Sequence, residues 1–392
     1  MHTPFAALPS LLDNDFYKFT MQQCVLRQFP RAKARYAFIN RGGHAFPEGF
    51  ADALRESVNV MSGLKLSKEE KTFLAVTCPY LDPVYLDFLQ GYCYNPDEVQ
   101  IHQEGASLSV AVEGLWYRTI LWEVPLLCLI SENFYRMTGN DRLPDEDIVA
   151  TTRRKMDHYN ALGVTIAEFG TRRRHSLAVH RLVVDTLKKH GAPGFVGTSN
   201  VYLAMTYQTR PIGTHAHEWF MFHAARYGFK MANALALEHW VDVFRGDLGI
   251  ALSDTYTSRV FFEQFDKKFA KLFDGVRHDS GDALEFAHQA ISHYQKLGID
   301  PLSKTIIFSD SLNYERVQRI TDFCRGRIGF SFGIGTNFTN DVGQLPMNIV
   351  MKMTEACPEG DQWVPVVKLS DEPNKHTGDP RTIELAKAVW GL

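Results

Sequence analysis

The six cysteines, Cys24, Cys78, Cys93, Cys128, Cys324 and Cys357, include no CxxC pair. That spacing excludes a zinc ribbon and a small disulfide framework, and a reduced cytoplasmic protein is the expectation. An excess of one charge is lacking as well, since 42 Lys and Arg against 45 Asp and Glu leave a net charge of -3. A general pull on nucleic acid or anionic membrane is thereby excluded, and any anionic ligand must be held by local basic clusters. No apolar run is long enough to span a bilayer, because EVPLLCLI is short and interrupted by Pro125. The first residues lack a basic segment followed by unbroken apolar residues, so no secretory signal is expected. Short repeats and low-complexity tracts are missing too. What is present is 392 residues, 45% hydrophobic and 22% charged. That composition fits a soluble globular protein with one large domain and a smaller one.

Residues 1–140 mix helical and strand signals. YAFIN (36–40) and SLSVAVEG (107–114) alternate like strands, Ser67 and Glu70 form a capping-box pattern, and TILWEVPLLCLISENFYRM carries a long apolar helical signal. A small α+β unit is the expectation. From about residue 164 onward an apolar run, a polar or Gly-rich cluster and an amphipathic helix recur. The strand candidates are VTIAEFGTRRR, GFVGTSN, RPIGTHAHE, GIALSDTYT, DGVRHDSGD, KTIIFSDSLN, IGFSFGIGT and MNIVMKMTE. About eight such strands would close a (β/α) barrel, whose active site lies at the C-terminal strand ends. An open doubly wound sheet would not need polar chemistry at nearly every strand end. The final VPVVKLSDEPNKHTGDP reads as one more strand and a mobile loop.

Five of those ends carry candidate chemistry. EFGTRRRHS sets Arg172, Arg173 and Arg174 behind a strand, where forked guanidinium groups suit carboxylate or phosphate, with Phe169 as a flat stacking surface. VRHDSGD groups Arg277, His278, Asp279, Ser280 and Asp282 at a helix start that favours an anion. Asp279 there could accept hydrogen bonds from a sugar diol or approach Mg2+. In FGIGTNFTND, Gly333 and Gly335 let backbone amides converge on a phosphate, and Thr336 adds a hydroxyl. SDTY and FSDSLN contribute Asp254 and Asp310, which read equally well as helix caps.

GTHAHEW (213–219) leaves two readings open. As a strand it would turn His215 and His217 to one side, able to chelate a metal as HxH in a barrel hydrolase. As a helix start it would set them about 200° apart around the axis, with one facing the pocket. The apolar spacing of HEWFMFHAARYGF favours the helix, and neutral imidazole near a helix N-terminus is a nucleophile.

In order along nearly the whole chain, LLDNDFYKFTMQQ, LWEVPLL, EFGTRRR, VGTSN, GTHAHEW, RHDSGD, FSDSLN, FGIGT and VKLSDEPNKH resemble the nicotinate phosphoribosyltransferase family of type II phosphoribosyltransferases. The resemblance implies an α/β fold: an irregular (β/α) barrel over 141–392 with a smaller N-terminal α+β domain over 1–140. It implies that nicotinate and phosphoribosyl pyrophosphate give nicotinate mononucleotide and pyrophosphate in NAD salvage, with ATP as co-substrate, Mg2+ required, and a transient phosphohistidine. His217 would carry the phosphate, with Asp254 orienting its other nitrogen. Nicotinate would lie between Phe169 and Tyr17, one of them given by a neighbouring subunit, with its carboxylate on Arg277, Arg172, Thr214 and Ser199. Ser280, Gly333, Gly335 and Thr336 would meet the phosphate of phosphoribosyl pyrophosphate, Asp279 the ribose, and Lys368 and Lys375 further phosphates. A homodimer follows from the shared site. The alternative within the fold is a nicotinamide phosphoribosyltransferase, whose pocket has an aspartate where this chain has Ser199.

Overall fold

A computed structural model describes residues 5–139 and 142–392. Two sheets organise them. Six short parallel strands run in the order Phe195–Thr198, Ile166–Glu168, Gly329–Ile334, Thr305–Phe308, Gly275–His278 and Ile250–Leu252. The two outer strands do not pair with each other. Residues 210–215 fill the gap: Ile212 N donates to Thr198 O at 2.9 Å on one side, and on the other Thr214 Oγ1 donates to Ile250 O at 3.1 Å. Leu252 N donates to His215 Nε2 at 3.1 Å. The ring therefore closes partly through side chains, an irregular (β/α) barrel.

The eighth strand candidate needs correction. MNIVMKMTE forms Ile349–Cys357, which lies outside the barrel and pairs antiparallel with Lys33–Asn40 in a five-stranded sheet. Its burial alternates along most of its length, whereas Ile166–Glu168 is buried throughout. Alternation suits an antiparallel sheet with one solvated face, and continuous burial suits a parallel strand covered on both faces. The polypeptide after residue 140 thus returns to complete the N-terminal sheet, with Ser107–Leu115 and Val99–Glu104 on its other flank.

Local signals explain the elements that frame the barrel mouth. Ser67 and Glu70 form the reciprocal cap of Lys68–Thr77. Asp282 accepts from Leu284 N and Glu285 N to start Ala283–Lys296, and Gly298 at φ 70° ends that turn. Glu123–Thr138 is buried on nearly every side, with Pro125 in the first turn, where a missing N–H costs no helical hydrogen bond. Among the described residues, no helix is long and apolar enough to cross a membrane.

The segment before the first helix is fastened to the barrel mouth. Asp13 accepts two hydrogen bonds from Arg174 at 2.7 and 2.8 Å, both side chains being fully buried, and Asn200 Nδ2 donates to it at 2.7 Å. Phe16 N donates to Ser199 O. A buried bidentate pair with every oxygen engaged fixes geometry more than it adds net stability.

Candidate active site

Helix His217–Tyr227 begins at His217, so the helix reading of GTHAHEW holds. Its N-cap is Ala216, which has no side-chain acceptor for the first-turn amides. An uncapped N-terminus leaves those donors and the positive end of the helix dipole for a ligand.

Around His217 two strand ends and the C-terminal segment converge. Nδ1 lies 3.1 Å from Thr255 Oγ1, and Nε2 lies 3.0 Å from Asp279 Oδ2, 2.9 Å from Lys368 Nζ and 3.7 Å from Asp254 Oδ1. Lys368 Nζ is also 3.1 Å from Asp254 Oδ2. Burial and the neighbouring Lys368 push the His217 imidazole down to about 4, against the pull of Asp254 and Asp279. The ring is neutral at physiological pH. Burial alone would raise both carboxyls, yet Lys368 and His217 hold Asp254 below its usual value, and Arg277, His217 and Lys368 hold Asp279 well below. Nε2 faces a donor and an acceptor at once. Either neutral tautomer is therefore satisfied, Lys368 donating to a bare Nε2 or Asp279 accepting from a protonated one.

His215 is a different kind of histidine. It is fully buried against Trp240 and Phe220, its Nε2 lone pair takes the Leu252 amide, and burial holds it far below its usual value. An HxH chelate would need that lone pair. Among the described residues, the group close enough to share an ion is His217, Asp254 and Asp279, and Lys368 places a positive charge among them.

The second part of the mouth is looser. Arg172 is 43% exposed, with Nη1 3.6 Å from Glu123 Oε1 and Nε 4.0 Å from Asp15 Oδ2. Arg277 Nη1 donates to His215 O at 3.2 Å. A Cβ on Gly333 would come within 3.1 Å of the Phe169 ring, so the glycine makes room for that aromatic face. Among the described residues, Arg41, Arg173 and Lys352 make no ion pair, and burial with the neighbouring cations pushes Lys352 down to about 8.

Two family models cover this arrangement. The nicotinate phosphoribosyltransferase (NAPRTase) family model matches residues 164–392, and its N-terminal domain model matches residues 12–131. The chain belongs to the nicotinate phosphoribosyltransferase family. A curated nicotinate phosphoribosyltransferase of Chromohalobacter salexigens is 67% identical over 385 residues, 98% of this chain and 99% of its own. One from Desulforapulum autotrophicum is 47% identical, covering 97% of this chain and 98% of its own. The crystal structure of nicotinate phosphoribosyltransferase from Porphyromonas gingivalis superposes with a TM-score of 0.96 at 45% identity, covering 98% of this chain and all of that one.

Within this nicotinate phosphoribosyltransferase fold, several expected site residues have other work. Thr255, not Asp254, holds the second nitrogen of His217, because Asp254 faces Nε2. The Ser280 hydroxyl donates to Asp254 at 2.6 Å and accepts from Ser370 and Asp371, which leaves it no proton for a phosphate. Ser199 is fully buried and donates to Asp15 Oδ1 at 2.6 Å, so its hydroxyl has no proton left for a substrate carboxylate. The Thr214 hydroxyl is likewise spent on the barrel seam. Tyr17 is buried within its own chain against Gly213, and Arg172, Glu123, Asp15 and Glu218 of the same chain act on its hydroxyl. Lys375 pairs with Asp310 at 2.8 Å.

Sequence reasoning missed Thr255, Asp15, Glu123, Arg41 and Lys352. Thr255 stands beside Asp254 in SDTY and Asp15 beside Tyr17 in NDFYK, so adjacency was the available signal. Lys352 sits on the strand that was assigned to the wrong sheet.

Proposed function

We propose that this chain joins nicotinate to the ribose 5-phosphate of phosphoribosyl pyrophosphate, using ATP, and that His217 is the residue phosphorylated. The observation that carries the reading is a neutral, nearly buried histidine opening an uncapped helix, with Lys368 and two ionised carboxylates on one nitrogen. A His217 lone pair attacks the terminal phosphorus of ATP; the N–P bond forms as the P–O bond to ADP breaks. Lys368 and the helix amides offset the charge that arrives. The pyridine nitrogen of nicotinate then bonds to the ribose C1 while the C1–O bond to pyrophosphate breaks. Water later releases phosphate from the histidine.

Phe169 and Tyr17 are the aromatic candidates for the pyridine ring, and Arg172 and Arg277 the cations for its carboxylate. The preference for acid over amide rests on the positive charge of these two arginines, because Asp15 already uses the Ser199 hydroxyl. Gly333, Gly335 and Thr336 remain candidates for the 5-phosphate, Asp279 for the ribose, and Arg41, Arg173, Lys352 and Lys368 for the pyrophosphate. Mg2+ is part of the proposal. Asp254 and Asp279 supply the oxygen ligands that ion prefers, and Asp254 Oδ1 is buried without a hydrogen-bond partner, so these two residues would hold it. Bound there, Mg2+ would neutralise pyrophosphate charge.

The decisive assay compares nicotinate with nicotinamide, each with phosphoribosyl pyrophosphate and Mg2+, with and without ATP. Nicotinate mononucleotide should form faster with ATP, and a preference for nicotinamide would sink the reading. Whether the site is shared between two copies of the chain is tested by complementation: a site completed within one chain predicts the first outcome below, a shared site the second. Mixing Tyr17→Ala with Arg277→Ala chains should restore no activity, whereas recovery would reinstate a site shared in a homodimer.

A further inference from the structure

Lys18 lies beneath the site and has no part in the chemistry just described. Its side chain is wholly buried, and its ammonium donates to Glu123 Oε2 at 2.6 Å and to Glu218 Oε1. Each carboxylate has a second engagement. Glu123 Oε1 lies 3.6 Å from Arg172 Nη1, while Glu218 Oε2 accepts from the Tyr36 hydroxyl at 2.5 Å and from Trp116 Nε1 at 3.5 Å. Glu218 is the next residue after His217, in the first turn of the same helix. One buried cation therefore has two arms, one ending at the arginine side of the mouth and the other at the start of the histidine helix.

The charge balance explains why Arg172 stays available. Without Lys18, two buried carboxylates would lose the cation that bridges them, a costly arrangement. Arg172 is the neighbouring cation with room to move, being 43% exposed, and it would be drawn down onto Glu123 and away from the mouth. With Lys18 present, Glu123 has one oxygen already satisfied and holds Arg172 only loosely. Resting on the function proposed above, we infer that Lys18 is a positioning residue that sets Arg172, through Glu123, and the first turn of the His217 helix, through Glu218, in a single arrangement.

The test uses the full chain and separates the two arms. Lys18→Met should raise the KM for nicotinate and lower phosphohistidine formation from ATP by about tenfold each, leaving the KM for phosphoribosyl pyrophosphate within about twofold. Glu123→Gln should weaken nicotinate alone, and Tyr36→Phe should slow phosphorylation alone, each by about threefold to tenfold. General damage would move all three quantities together, and that pattern in the single-arm variants overturns the inference, as does no change in any variant. If circular dichroism shows Lys18→Met unfolded, Glu123→Gln and Tyr36→Phe decide alone. Nicotinate binding by calorimetry keeps the two readings apart. Weaker binding in Glu123→Gln but not in Tyr36→Phe supports the positioning role even if the wild-type chain makes no nicotinate mononucleotide, the result that would remove the proposed function.

Discussion

The two sides of the barrel mouth differ in how their polar groups are spent. Around His217, Asp254, Thr255, Ser280, Ser370 and Lys368 are buried and bonded to one another, a set preorganised before any ligand arrives. Around Phe169, Arg172 is half exposed and held only at 3.6 to 4.0 Å, and nearby Arg41, Arg173 and Lys352 make no ion pair among the described residues. Groups already satisfied suit a covalent step that must occur at one atom. Groups left unsatisfied suit anions that come and go, because their hydrogen bonds are completed only by the ligand.

The largest expected effect falls on the histidine side. His217→Asn should remove the acid-labile phosphate and all ATP stimulation, measured by labelling with ATP and by product assay. His215→Gln should keep both, because Gln can still accept the Leu252 amide. Equal losses in the two variants would erase the distinction between the committed nitrogen of His215 and the presented nitrogen of His217.

On the arginine side, Arg172→Ala should raise the KM for nicotinate about tenfold to a hundredfold, the worth of one or two charge-assisted hydrogen bonds, and leave phosphohistidine formation near wild type. A fall in both would mean that the sides are not separable by single substitutions.

Acid sharpens the comparison further. His217 is depressed to about 4 by burial and Lys368, whereas an unfolded histidine titrates near about 6.5. Above that value neither state is protonated and His217 contributes no slope. As pH falls from about 6.5 to about 4 the unfolded chain takes up the proton and the folded chain does not, so stability drops by up to about 3 kcal/mol on this account. Thermal melts from pH 7.5 to 4.5 should show the decline, and His217→Asn should make it shallower, the buried His215 keeping part of it.

Legibility in the sequence followed the same division. Strand ends, caps and the helix start at His217 were readable, because periodicity and capping are local. Strand Ile349–Cys357 was misplaced because an apolar run does not say which sheet it joins until its two faces are compared. The partners of Ser199, Thr214 and Ser280 were not readable for a related reason: a hydroxyl at a strand end looks free until its partner, Asp15, Ile250 O or Asp254, comes from elsewhere in the chain. The Arg172 guanidinium, by contrast, has no close partner from elsewhere in the chain, its nearest carboxylates lying at 3.6 to 4.0 Å.

The smallest effect tests how loose the open side is. In Gly333→Ala the new Cβ would meet Phe169 Cδ2 at 3.1 Å and Cε2 at 3.4 Å, closer than comfortable contact. Phe169 is only partly buried, so its ring has room to yield by a few tenths of an ångström. If the open side adapts, the KM for nicotinate should rise only about twofold to threefold, with phosphorylation of His217 untouched, since small overpacking is relieved wherever a neighbour can move. A rise as large as that of Arg172→Ala would show that the ring is held as rigidly as the histidine cluster, and the contrast between a committed side and an adaptable side would then belong to the charges alone.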